Sequence, residues 1–424
     1  MRDALREVLA RNKAGEGAGI YSVCSAHPLV IEAAALQVLA DGGDLLVEAT
    51  SNQVDQFGGY TGMTPAQFRE FVYTITDAAG LDRDRVILGG DHLGPNRWSG
   101  QDAATAMDHA EDLVRAYVAA GYTKIHLDCS MSCADDPTPL TDAIVAERAA
   151  RLMRVAQEAE LSDAVPVSYV IGTEVPVPGG AHETLGELTP TSPEAARETI
   201  RAHQEAFAAH GVSEAWNQVV AMVVQPGVEF DHVQVVDYRP ERTGGLQQVI
   251  ADQSLVFEAH STDYQTEERL RALVVDHWAI LKVGPGLTFA LREALFALAA
   301  IEDELLPVAD RSGLRAVIEQ VMLDDPTYWQ SYYEGDPDEQ ALARKYSYSD
   351  RIRYYLPNPR IVAAIDAMFA GLDRVGIPEP LIGQYLPDQF WRVRDGILAP
   401  RAKDLAVDRV RDVLRLYSAA CAVA

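Results

Sequence analysis

From the N-terminus to about residue 305, short apolar runs alternate with longer stretches in which apolar residues return at i, i+3, i+4 and i+7. The runs predict strands at Gly19–Cys24, Leu45–Ala49, Val86–Gly89, Lys124–Asp128, Val167–Ile171, Val219–Val224, Leu255–Glu258 and Ile280–Val283. The helical repeat is clear in Leu29–Leu39 and Ala104–Ala119. Thr64-Pro65 and Ser192-Pro193 supply a hydroxyl N-cap followed by proline, and Gly80 and Gly211 suit helix ends. Short runs that are apolar on both faces, each followed by a helix, imply a parallel sheet. Eight such units predict an α/β protein whose sheet closes into a (β/α)8 TIM barrel over about residues 15–305. An open doubly wound sheet is the rival, but no G-x-G-x-x-G follows the first strand. Beyond Leu305 the pattern is helical, at Leu314–Met322, Arg360–Leu372 and Ala402–Leu416, with a polar, aromatic connector over Asp324–Pro359. The expected division is a barrel over 1–310 and a helical extension over 311–424 packed on it.

Composition narrows the classes. The chain has 424 residues, 48% of them hydrophobic, which is enough for a barrel of about 250 residues plus an extension. No stretch of about 18 uncharged apolar residues is present, so no membrane span is expected. The charged start, Met1-Arg2-Asp3-Ala4-Leu5-Arg6-Glu7, lacks a signal-type apolar segment, so a cytoplasmic protein is expected. Four cysteines are too few for a disulfide framework, and Cys129 and Cys133 do not have zinc-site spacing. The net charge of −27 argues against nucleic acid as a partner. It also requires any site for an anionic metabolite to gather its cations locally.

In barrels the working residues lie at the carboxyl ends of the strands. Those positions here include Ser25, Asn52, Asp91, His92, Asn96, Asp128, Glu174, Gln225, His260, Ser261, Thr262 and Lys282. His92 and His260 are candidate ligands for one divalent ion, with Glu174 or Gln225 adding oxygen. Zinc suits such a mixed set first, with manganese, magnesium, nickel or cobalt as alternatives. Both histidines also fit a purely structural role in the barrel mouth. Asp91 reads either as a base for a substrate hydroxyl or as a cap that orients its neighbour. Lys282 reads as a fixed cation, with a Schiff-base amine or an ion pair to Glu258 or Asp263 as the other options. Ser25, Asn52, Asn96 and Asp128 are candidate substrate contacts. Gly284-Pro285-Gly286, with Ser261 and Thr262 on the preceding loop, has the make-up of a phosphate cradle at a helix start. Arg351 and Arg353 could reach a distal phosphate, or simply pack in an aromatic linker.

The segments Gly19–Pro28, Glu48–Met63, Gly89–Trp98, Gly172–Pro176, Glu258–Gln265, Leu281–Pro285 and Ser347–Tyr354 are similar to the GatZ/KbaZ family. These are the larger subunits of tagatose-bisphosphate aldolase, often labelled tagatose 6-phosphate kinase. The resemblance implies a class II aldolase-like barrel in which Asp91 is an acid/base, His92 and His260 are zinc ligands and Glu174 is an acid near the metal. The remaining zinc histidine of the pattern falls near Gln225. No G-x-x-x-x-G-K-[ST] phosphate loop is present to support kinase chemistry. Two functions follow. One is a metal-dependent 4-epimerase interconverting D-tagatose 6-phosphate and D-fructose 6-phosphate by retro-aldol and aldol steps. The other is a non-catalytic subunit that stabilises a smaller class II D-tagatose-1,6-bisphosphate aldolase chain. The expected partners are therefore a ketohexose phosphate, such an aldolase subunit, or further copies of this chain in a homo-oligomer.

Overall fold

The computed structural model of the chain describes residues 2–161, 165–173 and 188–422. Eight parallel strands form a closed barrel in chain order: β1 (Ile20–Val23), β2 (Leu45–Thr50), β3 (Val86–Leu93), β4 (Lys124–Leu127), β5 (Ser168–Ile171), β6 (Val219–Val223), β7 (Val256–Ala259) and β8 (Trp278–Val283). β8 pairs back onto β1, with Ser22 opposite Lys282, which closes the sheet. Each expected strand is present and the barrel is the α/β fold the pattern predicted. A two-stranded hairpin, Glu229–Phe230 with Val235–Val236, is added after β6.

Strand periodicity stacks the barrel interior in layers. At the amino end, Ile20, Leu46, Ile87, Val170, Val256 and Ile280 form one apolar cluster. The helix Ala4–Lys13 closes that end with Leu5 and Leu9. Two positions farther along the strands come Ser22, Glu48, Lys124, Glu258 and Lys282, which form a buried polar layer. The barrel's outer face packs against its helices through a second, larger apolar cluster. Helix starts follow the sequence, with proline first in Pro28–Asp41, Pro65–Ala79, Pro193–Ala209 and Pro285–Leu305. Gly80 takes φ +87° in the left-handed cap after Pro65–Ala79.

Six helices follow the barrel: Leu314–Asp324, Pro337–Tyr346, Pro359–Val375, Glu379–Tyr385, Pro387–Arg394 and Ala402–Cys421. The polar, aromatic connector over 324–359, for which no helix was expected, contains the helix Pro337–Tyr346, begun by a capping box between Asp336 and Glu339. The last helix lies against Pro28–Asp41, Glu267–Val275 and Pro285–Leu305. Its Tyr417 hydroxyl donates to the Thr262 carbonyl at 2.8 Å, tying the extension to the loop after β7. Among the described residues no helix is long and apolar enough to cross a membrane, and no cysteine is paired with another.

Candidate active site

β3 runs four residues beyond the end of its apolar run, through Gly90, Asp91 and His92 to Leu93. Adjacent strand residues normally face opposite ways. His92, however, has φ +51°, and the pairing of β3 with β4 breaks register between Gly90 and Leu93. This kink brings the His92 ring and the Asp91 carboxylate to the same mouth. A non-glycine residue held there costs about 1–3 kcal/mol, which the surrounding packing must offset.

Three imidazoles meet at that point. Ring centroids are 4.8 Å apart for His92 and His260, and 5.2 Å apart for His126 with each of the other two. Asp91, His92, His126 and His260 are all buried, and each offers one ligand atom within 4.8 Å of the others. One nitrogen of each ring is held by a carboxylate. His92 Nδ1 lies 2.7 Å from Asp128 Oδ2, His126 Nδ1 lies 2.9 Å from Asp91 Oδ1, and His260 Nε2 lies 2.9 Å from Glu258 Oε1. Carboxylates in these places fix ring orientation and leave the opposite nitrogen for a metal. His126 Nε2 is buried without a hydrogen-bond partner, a state that costs about 1–3 kcal/mol unless something satisfies it. Burial pushes the His260 imidazole down to about 4 against the opposing pull of Glu258 and Asp91, whereas for His92 burial is outweighed by Asp91 and Asp128, which raise that imidazole. Imidazole nitrogens with a carboxylate oxygen are the donor set of a first-row divalent ion, and these residues fit one.

Beneath the imidazoles lies a buried ionic layer. Lys124 Nζ is 2.8 Å from Glu48 Oε2 and 2.6 Å from Glu258 Oε2. Lys282 Nζ is 2.7 Å from Glu48 Oε2, 3.0 Å from Asp91 Oδ2 and 3.9 Å from Glu258 Oε1. Ser22 Oγ donates to Glu48 Oε1 at 2.7 Å. Gly89 makes room for this carboxylate, because a Cβ there would stand 2.6 Å from Glu48 Cγ. Burial opposes the charge on Lys282, but Asp91, Glu48 and Glu258 outweigh it and hold the ammonium well above its usual range. Such a lysine is a fixed cation and not a free amine. Burial likewise opposes ionisation of Asp91, and His92, Lys282 and His126 together hold the carboxyl well below its usual range.

Above the cluster opens a small cavity. Of the expected site residues, Asn52, Asp91, His92, His260, Ser261, Lys282, Gly284 and Arg353 line it. The others are placed elsewhere. Asp128 serves His92 instead of a substrate. Ser25 is buried and accepts the His27 N–H. Asn96 sits in the turn Pro95–Trp98, outside the cavity lining. Thr262 is turned inward, its hydroxyl donating to the Lys282 carbonyl at 2.6 Å. Gly284 lines the cavity but gives its N–H to Asp263. Arg351 packs its guanidinium 3.4 Å from the Tyr332 ring centroid and donates to the Tyr328 carbonyl, away from the cavity. Gln225 is not brought to the imidazoles. Its Oε1 accepts from the N–H groups of Gly227 and Val228 and closes its own loop. Glu174 lies outside the described residues.

The sequence reading missed His126 and Lys124, and gave Glu48, at the end of the second strand, no role. The signal was available. Counting by two from Lys124 puts His126 on the same interior face. The third imidazole thus comes from β4, not from the position after β6 where the resemblance had placed it.

A family profile described as D-tagatose-1,6-bisphosphate aldolase subunit GatZ/KbaZ-like matches residues 5–422. Among solved structures, a probable tagatose 6 phosphate kinase from Sinorhizobium meliloti 1021 is 51% identical, with a TM-score of 0.88, covering 95% of this chain and 100% of its own. A fructose-bisphosphate aldolase from Campylobacter jejuni is 14% identical, with a TM-score of 0.46, over 88% of this chain and 92% of its own. The YdjI aldolase from Escherichia coli K12 is 10% identical, with a TM-score of 0.43, over 83% of this chain and 94% of its own.

Proposed function

The chain belongs to the GatZ/KbaZ-like family of D-tagatose-1,6-bisphosphate aldolase subunits, and on that footing we propose that it is a metal-dependent ketohexose-phosphate 4-epimerase. It would interconvert D-tagatose 6-phosphate and D-fructose 6-phosphate. The observation that carries this reading is the convergence of His92, His126 and His260 beside an ionised Asp91 at the mouth of the barrel. A scaffold has no need of three histidines, each oriented by its own carboxylate, at the floor of an open cavity.

His92, His126 and His260, with Glu174 as a fourth candidate, would hold the ion. When bound, a divalent ion would polarise a ketose carbonyl as a Lewis acid. Asp91 would accept the C4 hydroxyl proton as the C3–C4 bond breaks, and return it when the bond re-forms. Lys282, 3.0 Å from Asp91, supplies fixed positive charge next to the negative charge that develops on the three-carbon fragment. Arg353 would hold the phosphate, and Asn52 and Ser261 the sugar hydroxyls. If the retained aldehyde turns before the bond re-forms, C4 inverts; if it leaves, the same groups perform an aldolase cleavage.

The family description favours a second reading, in which the barrel stabilises a smaller aldolase chain and does no chemistry itself. Incubating the isolated chain with D-tagatose 6-phosphate and zinc, manganese or magnesium separates the two. Formation of D-fructose 6-phosphate supports the epimerase. No turnover, together with rescue of a co-expressed smaller aldolase chain, supports the subunit role.

A further inference from the structure

The anion-binding device expected at the start of the helix Pro285–Leu305 is already filled from within. Asp263 Oδ1 accepts the N–H of Gly284 at 3.0 Å and that of Gly286 at 2.7 Å. The carboxylate is buried and lines the cavity. It therefore stands where the backbone donors and the helix dipole would otherwise receive a phosphate. Gly286 matches this arrangement, since a Cβ there would be only 3.0 Å from Asp263 Oδ1. The neighbouring hydroxyl of Thr262 is committed to the Lys282 carbonyl. A second buried carboxyl, Glu229, lies against Ser261 on the same side.

The remaining cations at the cavity are unequal. Lys282 is matched by Asp91 and Glu48 at ion-pair distance. Arg353, carried on the C-terminal extension, donates to the main-chain carbonyls of Ser349 and Asp350 and to the Tyr354 hydroxyl, so among the described residues its bonds go to no carboxylate. Asp263 and Asp350 act on its charge through space, but unlike Lys282 it is bonded to no carboxylate among the described residues. A dianionic group docked on it gains a charge-assisted contact. A second one would meet Asp263 and no free cation.

We infer that the site is selective for a ketose with a single anionic end, which docks on Arg353, and that Asp263 is the residue that excludes a 1,6-bisphosphate. This rests on the reading of the cavity as a ketohexose-phosphate site and adds the residue that rejects a second phosphate. Asp263 is a specificity-determining residue with no part in the bond-breaking step.

The test is calorimetric binding of D-fructose 6-phosphate and D-fructose 1,6-bisphosphate to the full chain, with and without added zinc. The wild type is expected to bind the monophosphate at least tenfold more tightly. Asp263→Asn keeps an oxygen for the two N–H groups and removes the charge, and should narrow that ratio at least fivefold. Arg353→Met should weaken the monophosphate at least tenfold. Equal or tighter binding of the bisphosphate by the wild type overturns the inference, as does failure of both sugars to bind, or an unchanged ratio in Asp263→Asn. A monophosphate preference without turnover leaves the inference standing and sinks only the catalytic reading. As an independent check, crystals soaked in inorganic phosphate should show the ion on Arg353. Phosphate on the Gly284 and Gly286 N–H groups, with the Asp263 side chain displaced, would overturn it.

Discussion

Replacing Lys124 with methionine tests the ionic layer on which the imidazoles rest. Lys124 has no exposed surface, and its ammonium is the main counter-charge of two buried carboxylates, 2.8 Å from Glu48 and 2.6 Å from Glu258. Methionine nearly conserves volume, so little of the effect comes from a cavity. What remains is charge. Lys282 still faces Glu48 at 2.7 Å but reaches Glu258 only at 3.9 Å. Removing one partner from a buried pair costs about 3–5 kcal/mol, because the other is left buried and unmatched. The expected loss for Lys124→Met lies in that range at pH 8, read by urea unfolding followed through tryptophan fluorescence. The pH dependence has a definite sign. An unmatched buried glutamate has its folded-state pKa raised above the unfolded value, so it binds a proton more readily when folded. The destabilisation should therefore be full above that raised pKa and shrink as pH falls towards 5. Adding Glu48→Gln to the variant removes one unmatched charge and should recover part of the loss, a coupling that a double-mutant cycle reads directly. A loss below about 1 kcal/mol, or one equal at pH 8 and pH 5, would show that the layer is not held by these charges.

Two further outcomes follow from the structure. Burial pushes the Glu229 carboxyl up to about 7, against the help of the Phe230 N–H and of Ser261. A raised folded-state pKa means stability is lost as pH rises from the unfolded value towards 7, so Glu229→Gln should melt higher than the wild type at pH 8 and match it near pH 4.5. A variant no more stable at pH 8 than at pH 4.5, each relative to wild type, would contradict this. Asp128→Asn removes the anion 2.7 Å from His92 Nδ1. It should weaken zinc about 10- to 100-fold in competition with a chelator while leaving the fold's circular dichroism unchanged; unaltered affinity would mean that His92 is not a ligand.

The eight strands were legible because residues buried on both faces of a sheet must be apolar on consecutive positions, and the chain breaks each run with a helix start. Strand ends were less legible. β3 continues past Gly89 through Gly90 into Asp91 and His92, residues that carry no strand signal because their places are set by a left-handed kink at His92. His126 was hidden for a related reason. It lies inside a strand between Ile125 and Leu127, and reading only the strand ends passed over it, although its spacing from Lys124 put it on the interior face. The pairing of Lys124 with Glu48 and Glu258 joins three strands far apart in the chain, so no spacing could announce it. Gln225 and Thr262 sit at plausible positions, but each satisfies a nearby backbone group instead of facing the cavity. The helix Pro337–Tyr346 announces itself through Asp336 and Glu339, a cap signal that the aromatic character of the connector had masked.

The most direct measurement is anomalous diffraction from a zinc-soaked crystal of the full chain. A single peak at about 2.0–2.1 Å from one nitrogen each of His92, His126 and His260 is the predicted result. Well-ordered rings with no peak between them, or zinc bound only at the surface, would contradict the metal centre and the chemistry proposed around it.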